Sequence, residues 1–169
     1  MNKLINYIYI GSNKRLSKLK LFKPDDFEKV TKLNFSSKKY IEDLLDTEIA
    51  DFEGHIIVIL VPGCYPSKEA RTILKKIALI NQLSWGWFEG SKKYTNMISE
   101  FKKISTFVTK APNLDQGIYF SRELYFSLGG FGELDSFSFK EISKRLYSRF
   151  DPQKPLPPLI IKSKKIGLS

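Results

Sequence analysis

The sequence predicts an α/β fold, a three-layer sandwich around a mostly parallel central sheet, and two observations carry that expectation. The first is the run His55-Ile56-Ile57-Val58-Ile59-Leu60-Val61, whose β-branched residues mark a strand covered on both sides. The second is the alternation, along the whole chain, of short apolar strand-like segments with capped amphipathic ones. A length of 169 residues with 42% apolar content supports one core, so residues 1–169 are read as a single domain.

Leu4 to Ile10 alternates and is rich in Ile and Tyr, and Gly11-Ser12-Asn13 supplies turn chemistry, so a first strand leads into a loop. A short helix is expected from Pro24, with Asp25 and Asp26 in its first turn and Phe27 and Val30 inward. Ser36 or Ser37 can cap the next helix, whose Tyr40, Ile41, Leu44 and Leu45 share a face; Glu42 through Glu53 form the chain's one negative patch. Pro62-Gly63 stops the central strand, and Ser67 caps a helix with Glu69 in its first turn and Ala70, Ile73, Leu74, Ile77 and Ile80 toward the sheet. Leu83 to Phe88 reads as a strand or loop entry, with Trp85, Trp87 and Phe88 filling the core in preference to forming an acceptor platform or dimer seam. Thr95 to Val108 reads as a helix. Gly117 to Phe120 is a short strand, Ser121 caps a two-turn helix, and Gly129-Gly130 ends it where positive φ is wanted. Ser138 and Glu141 form a capping box for a helix from Phe139 to Phe150, broken by Asp151-Pro152; Leu159-Ile160-Ile161 is the last strand.

Lys and Arg number 28 against 18 Asp and Glu, a surplus that attracts phosphates, anionic lipid or nucleic acid. The cations come as scattered pairs with one denser run from Lys14 to Lys23. Cys64 is the only cysteine and His55 the only histidine, which excludes an internal disulfide and a zinc site of ordinary composition; both are read as lying in or beside a core strand. No apolar run has the length of a membrane span and the N-terminus lacks a signal-peptide pattern, so the expected location is the cytoplasm, including a peripheral position on the inner membrane face.

The segment Asp115-Gln116-Gly117-Ile118-Tyr119-Phe120-Ser121-Arg122-Glu123-Leu124, followed by Leu128-Gly129-Gly130-Phe131, resembles the acceptor-side half of family 2 glycosyltransferases. The likeness continues through Glu133-Leu134 to Glu141-Ile142-Ser143-Lys144-Arg145-Leu146 and extends to Ser163-Lys164-Lys165, covering the last third of the chain. It implies a GT-A fold, a nucleotide diphosphate sugar as donor, a glycan or small hydroxyl compound as acceptor, and Mg²⁺ or Mn²⁺ on the diphosphate. Where relatives carry an Asp-containing metal motif after the central strand, this chain reads Pro62-Gly63-Cys64-Tyr65-Pro66, and the Glu-Asp pair that supplies the base falls on Ser138-Phe139. The metal ligands and the catalytic base of the family are therefore missing at their usual positions, and no metal-ligating residue is named.

Three readings follow. In an active transferase, Asp115, Glu133 and Asp135 stand in as catalytic carboxylates, Gln116, Gly129, Gly130 and Phe131 line the substrate pocket, and Lys164 and Lys165 neutralise the diphosphate without metal. In a degenerate member the fold serves as a non-catalytic binding or partner subunit in glycan synthesis. A nucleic-acid binder using Lys14 to Lys23 ranks behind both, because no known nucleic-acid motif accompanies the charge. The first two readings require the turns after Val61, at Asp115 and from Gly129 to Ser138 to meet at one rim of the sheet, beyond the carboxyl ends of its strands.

Overall fold

The computed structural model describes residues 3–34, 41–90, 111–133, 137–162 and 166–168. Its centre is a five-stranded sheet whose members are β1 (Ile5–Gly11), β2 (Glu28–Asn34), β3 (Ile56–Leu60), β5 (Trp85–Trp87) and β6 (Ile118–Ser121). They lie in the order β2-β1-β3-β6-β5. β1 pairs in parallel with both β2 and β3, whereas β6 runs antiparallel to β3 and to β5. The sheet is thus mixed, which corrects the expectation of a mostly parallel one. β6 is entered at the edge where β3 ends, since Ile118 faces Ile59 and Ser121 faces Ile56. A short apolar strand carries no signal for its own direction, so the sequence left this open.

Both faces of the sheet are buried, and β1 shows how. Ile8 and Ile10 join the apolar cluster of Ile57, Ile59 and Phe120, while Ile5, Tyr7 and Tyr9 join that of Val58, Leu60 and Tyr119. The first cluster is covered by α2 (Ile41–Asp51), α4 (Arg122–Ser127) and α5 (Phe139–Tyr147) through Leu45, Leu124 and Ile142. The second is covered by α1 (Asn13–Ser17) and α3 (Lys68–Ile80) through Leu16, Ala70 and Leu74. β3 is buried along its whole length and sits third of five, as its composition predicts. Trp85, Trp87 and Phe88 are core residues, not a platform.

Three caps hold the helices where the sequence puts them. Ser67, Ser121 and Ser138 accept the backbone N–H of Ala70, Leu124 and Glu141. α3 ends at Asn81 in the left-handed conformation, with Ile80 61% exposed and not turned to the sheet. α5 stops at Tyr147, short of Phe150.

The helix expected from Pro24 is instead a turn running into β2. Asp25 accepts the Phe27 N–H at 3.0 Å, the Asp25 carbonyl accepts the Glu28 N–H at 3.1 Å, and Val30-Thr31 then pair residue by residue with β1. Burial of the Glu28 carboxylate against Arg71 fixes this register, a long-range partnership invisible to local pattern. Phe27 is exposed accordingly. The segment from Ser36 to Tyr40, the helix from Thr95 to Val108, Asp135, Lys164 and Lys165 lie outside the described residues.

The carboxyl edge of the sheet is closed by the end of the chain. β4 (Cys64–Tyr65), which follows β3, pairs antiparallel with β7 (Ile160–Ile161). Leu156 bridges to Phe88, and the Leu168 carbonyl accepts the Ser12 N–H at 2.8 Å. No helix among the described residues is long and apolar enough to cross a membrane.

Candidate functional site

The crossover after β1 leads outward to β2, and the chain after β3 leads the other way, to β5. A crevice opens where those two paths part, and such a switch point is where open α/β sheets bind ligands. Here it is a cleft of about 810 Å³ lined by Ser12, Lys14, Arg15, Lys18, Leu19, Lys20, Pro62, Gly63, Tyr65 and Lys162. Its floor is made by close contact of the two loops: a Cβ on Gly11 would stand 2.7 Å from the Pro62 ring, so only glycine fits there.

Among the described residues that line it, five side chains are cationic and none is acidic. Among the described residues, Lys14, Lys18, Lys20 and Lys162 take part in no ion pair. Lys162 is placed by its backbone N–H, which donates to the Gly63 carbonyl at 2.8 Å, and its ammonium lies 4.8 Å from the centre of the Tyr65 ring. Leu19, Pro62 and Tyr65 add apolar surface beside the charges. The arrangement can hold a multiply charged anion with an attached flat or apolar group.

Beneath this floor Cys64 is fully buried, its thiol donating to the Val61 carbonyl at 3.2 Å. Burial pushes that thiol up to about 12, with the nearby Asp115 charge contributing, so at neutral pH the free thiol is protonated. His55 precedes β3 at the opposite edge, where its N–H donates to Leu4. No group of three or more His, Cys, Asp or Glu able to hold a metal ion occurs among the described residues.

The residues singled out by sequence are distributed as follows. Asp115 sits in the 3-10 turn Leu114–Gln116 that enters β6, at the carboxyl edge of β3 and close to Cys64, but it does not line the cleft. Gln116 is buried, its carbonyl oxygen accepting from the Asn113 N–H at 2.9 Å and its amide donating to the Phe88 carbonyl at 3.3 Å. Gly129 and Gly130 have φ of 74° and 81°, as the turn demands, and Gly130 lies against Tyr125 and Asp46. Phe131 packs edge-on to Phe120 and Tyr125 in the cluster under α2. Glu133 is exposed, and its carbonyl accepts from Arg145 at 2.8 Å. Ser138 caps α5 and Phe139 is buried, both in structural roles. Two of the three turns thus share a rim, whereas the Gly129–Phe131 turn lies over the α2 face and contributes nothing to the cleft lining.

A second polar cluster sits beside that turn. Tyr125 donates a hydrogen bond to Asp46, whose carboxyl burial raises above the usual carboxylate range, with Asp43 and Glu42 adding to the shift against the lowering effect of the Tyr125 bond. Burial and the Asp46 bond push the Tyr125 phenol up in turn.

Sequence reasoning did not find the cleft residues Ser12, Lys14, Arg15, Lys18, Lys20, Tyr65 and Lys162 as a set. The signal was present in two halves: the dense basic run, and the Gly11-Ser12 turn that places that run at the carboxyl end of the first strand. No protein-family model matches the chain, and no curated protein matches it significantly.

Proposed function

We propose that this domain binds a nucleotide diphosphate, free or sugar-linked, in the cleft between β1 and β3, and serves as a glycosyltransferase-like binding or partner subunit in glycan synthesis. The observation that carries the reading is the coincidence of a topological switch point with five cations and no carboxylate among the described lining residues. Lys14, Arg15, Lys18, Lys20 and Lys162 would neutralise the diphosphate directly, and the Tyr65 ring with Leu19 and Pro62 would take the base. The resemblance of Asp115 to Phe131 to the family's acceptor half, and a sheet buried on both faces as in the GT-A sandwich, agree with this reading without adding to the cleft.

The Mg²⁺ or Mn²⁺ implied by the resemblance does not fit. Among the described residues no carboxylate lines the cleft, so no set of hard oxygen ligands is available beside the diphosphate. Lysines in that position supply the charge instead.

The active-transferase reading is second and rests on Asp115, the carboxylate held at the same rim near Cys64. It requires Asp115 to take a proton from an acceptor hydroxyl, and Asp115→Asn then abolishes transfer. In the partner reading the same change leaves nucleotide binding intact.

Calorimetric titration of the full chain with UDP and GDP, each with and without Mn²⁺, tests the proposal. Binding that is indifferent to Mn²⁺ and lost in a Lys14→Gln, Lys18→Gln, Lys20→Gln variant is the expected result. A chain that binds neither nucleotide, under either condition, has no donor pocket and the proposal falls.

A further inference from the structure

We infer that the cleft selects for the terminal phosphate charge, so that it holds the free nucleoside diphosphate in preference to its sugar ester. The inference rests on the nucleotide reading and concerns what that site responds to. A sugar ester of a nucleoside diphosphate carries about two negative charges, whereas the free diphosphate gains a further one as its terminal phosphate ionises above about pH 6. The cleft offers the ammonium groups of Lys14, Lys18, Lys20 and Lys162, none of them in an ion pair among the described residues, so the larger ligand charge is matched more fully than the smaller. An added charge on a phosphate close to the ammonium groups is worth on the order of tenfold in affinity even at a wet surface.

The counter-terms are weak. A sugar gains affinity chiefly through hydrogen bonds to carboxylates, amides and hydroxyls, and among the lining side chains only Ser12 and Tyr65 carry a hydroxyl, with no carboxylate or amide group. Gln116, the nearest amide suggested by sequence, is buried and engaged by Asn113 and Phe88. The two sides of the ledger point the same way: the lining rewards phosphate charge and has little with which to grip a pyranose.

The pH response belongs to the ligand. Burial pushes the thiol of Cys64, below the floor, up to about 12, so it stays protonated across the range in which the phosphate titrates. Asp115 lies by Cys64 outside the lining, and His55, the one imidazole, is at the far edge of the sheet. A domain with this preference reports the accumulation of spent nucleotide, not the supply of donor, which suits a partner subunit that relieves or senses product.

Parallel titrations of the full chain with UDP and UDP-glucose, at about pH 7.5 and about pH 5.5 on either side of the phosphate ionisation, test it. UDP should bind on the order of tenfold more tightly at the higher pH, and the gap should close at the lower one. The Lys14→Gln, Lys18→Gln double variant should narrow the gap at the higher pH, because it removes charge and leaves the Tyr65 side untouched. UDP-glucose binding as tightly as UDP at the higher pH, or a gap unchanged at the lower pH, overturns the inference and leaves the nucleotide reading standing. Failure of both ligands to bind removes the nucleotide reading and the inference with it.

Discussion

The strand β2 and the cleft beyond the end of β1 treat charge in opposite ways. At β2 every buried carboxylate meets its cation. Glu28, with its side chain fully out of solvent, is gripped by the Arg71 guanidinium, whose Nε donates at 2.9 Å, and Lys75 stands 3.5 Å away. On the strand's other face Glu48 accepts from Lys29 at 2.6 Å and from Thr31 and Asn6 at 2.8 Å. In the cleft, Lys14, Lys18, Lys20 and Lys162 line a cavity and take part in no ion pair among the described residues. Matched charge locks β2 to α3 and α2; the four unpaired lysines beside the 810 Å³ cleft contribute repulsion to the folded state.

The difference is sharpest when one partner is removed. Arg71→Ala leaves Glu28 buried with only Lys75 nearby, and the expected loss is about 3 kcal/mol in urea-induced unfolding. Proton linkage should reveal the same pair. Burial alone would raise the Glu28 carboxyl, but the Arg71 bond, the Asp25 N–H and the two cations hold it below its ordinary value. Its contribution is therefore complete above the unfolded carboxylate pKa of about 4.3 and is lost as pH falls through the lower folded value. Glu48 behaves alike, its bonds to Lys29, Thr31 and Asn6 outweighing burial. Wild-type stability should fall on acidification below about pH 4.3, and Glu28→Gln should flatten that fall. An acid limb unchanged by Glu28→Gln would break the contrast drawn here.

Changing the cleft should do the reverse. The Lys14→Gln, Lys18→Gln, Lys20→Gln variant should lose on the order of a hundredfold in UDP affinity. Its unfolding free energy should stay within about 0.5 kcal/mol of wild type, because these side chains are exposed and unpaired. A large loss of stability in this variant would make the lysines structural and remove the distinction.

Gly130 tests the turn that the resemblance emphasised but the cleft does not use. At φ 81° a Cβ is strained, and it would stand 3.2 Å from the Tyr125 hydroxyl. Gly130→Ala should cost about 1 kcal/mol of stability and leave UDP binding unchanged. A selective loss of nucleotide affinity would bring the turn back into the site.

What could be read from sequence follows from where its signals are local. The strand at His55 to Val61, the Ser67, Ser121 and Ser138 caps and the positive φ of Gly129 and Gly130 are each set by a few adjacent residues, and all are present. β2 was misread as a helix because Asp25 and Asp26 after Pro24 fit a helical first turn, while the element is decided by Arg71, 43 residues after Glu28. The antiparallel course of β6 has no local signature either. For the site, the basic run was visible as composition, but Lys162 joins it only through the pairing of β7 with β4. Gln116 was conspicuous by motif, and its capping of the turn before β6 accounts for its position.

The smallest expected effect concerns Asp46, two residues from Glu48 on α2 and a half-buried carboxylate that meets no cation among the described residues. Burial, Asp43 and Glu42 raise its carboxyl, and only the Tyr125 hydroxyl opposes them. A raised folded-state pKa means that ionisation favours the unfolded chain, so Asp46 lowers stability as pH rises from the unfolded aspartate value of about 3.9 through its higher folded one, the sign opposite to Glu48. Asp46→Asn keeps an acceptor for Tyr125 and removes the charge. It should therefore raise stability at neutral pH by a few tenths of a kcal/mol and leave it unchanged in acid, where the carboxyl is already protonated. Glu48→Gln should lower stability at neutral pH, since it weakens the contact with Lys29 at an 18% exposed side chain. If the two substitutions shift urea midpoints in the same direction at neutral pH, the presence or absence of a cation does not decide what a half-buried carboxylate on α2 contributes.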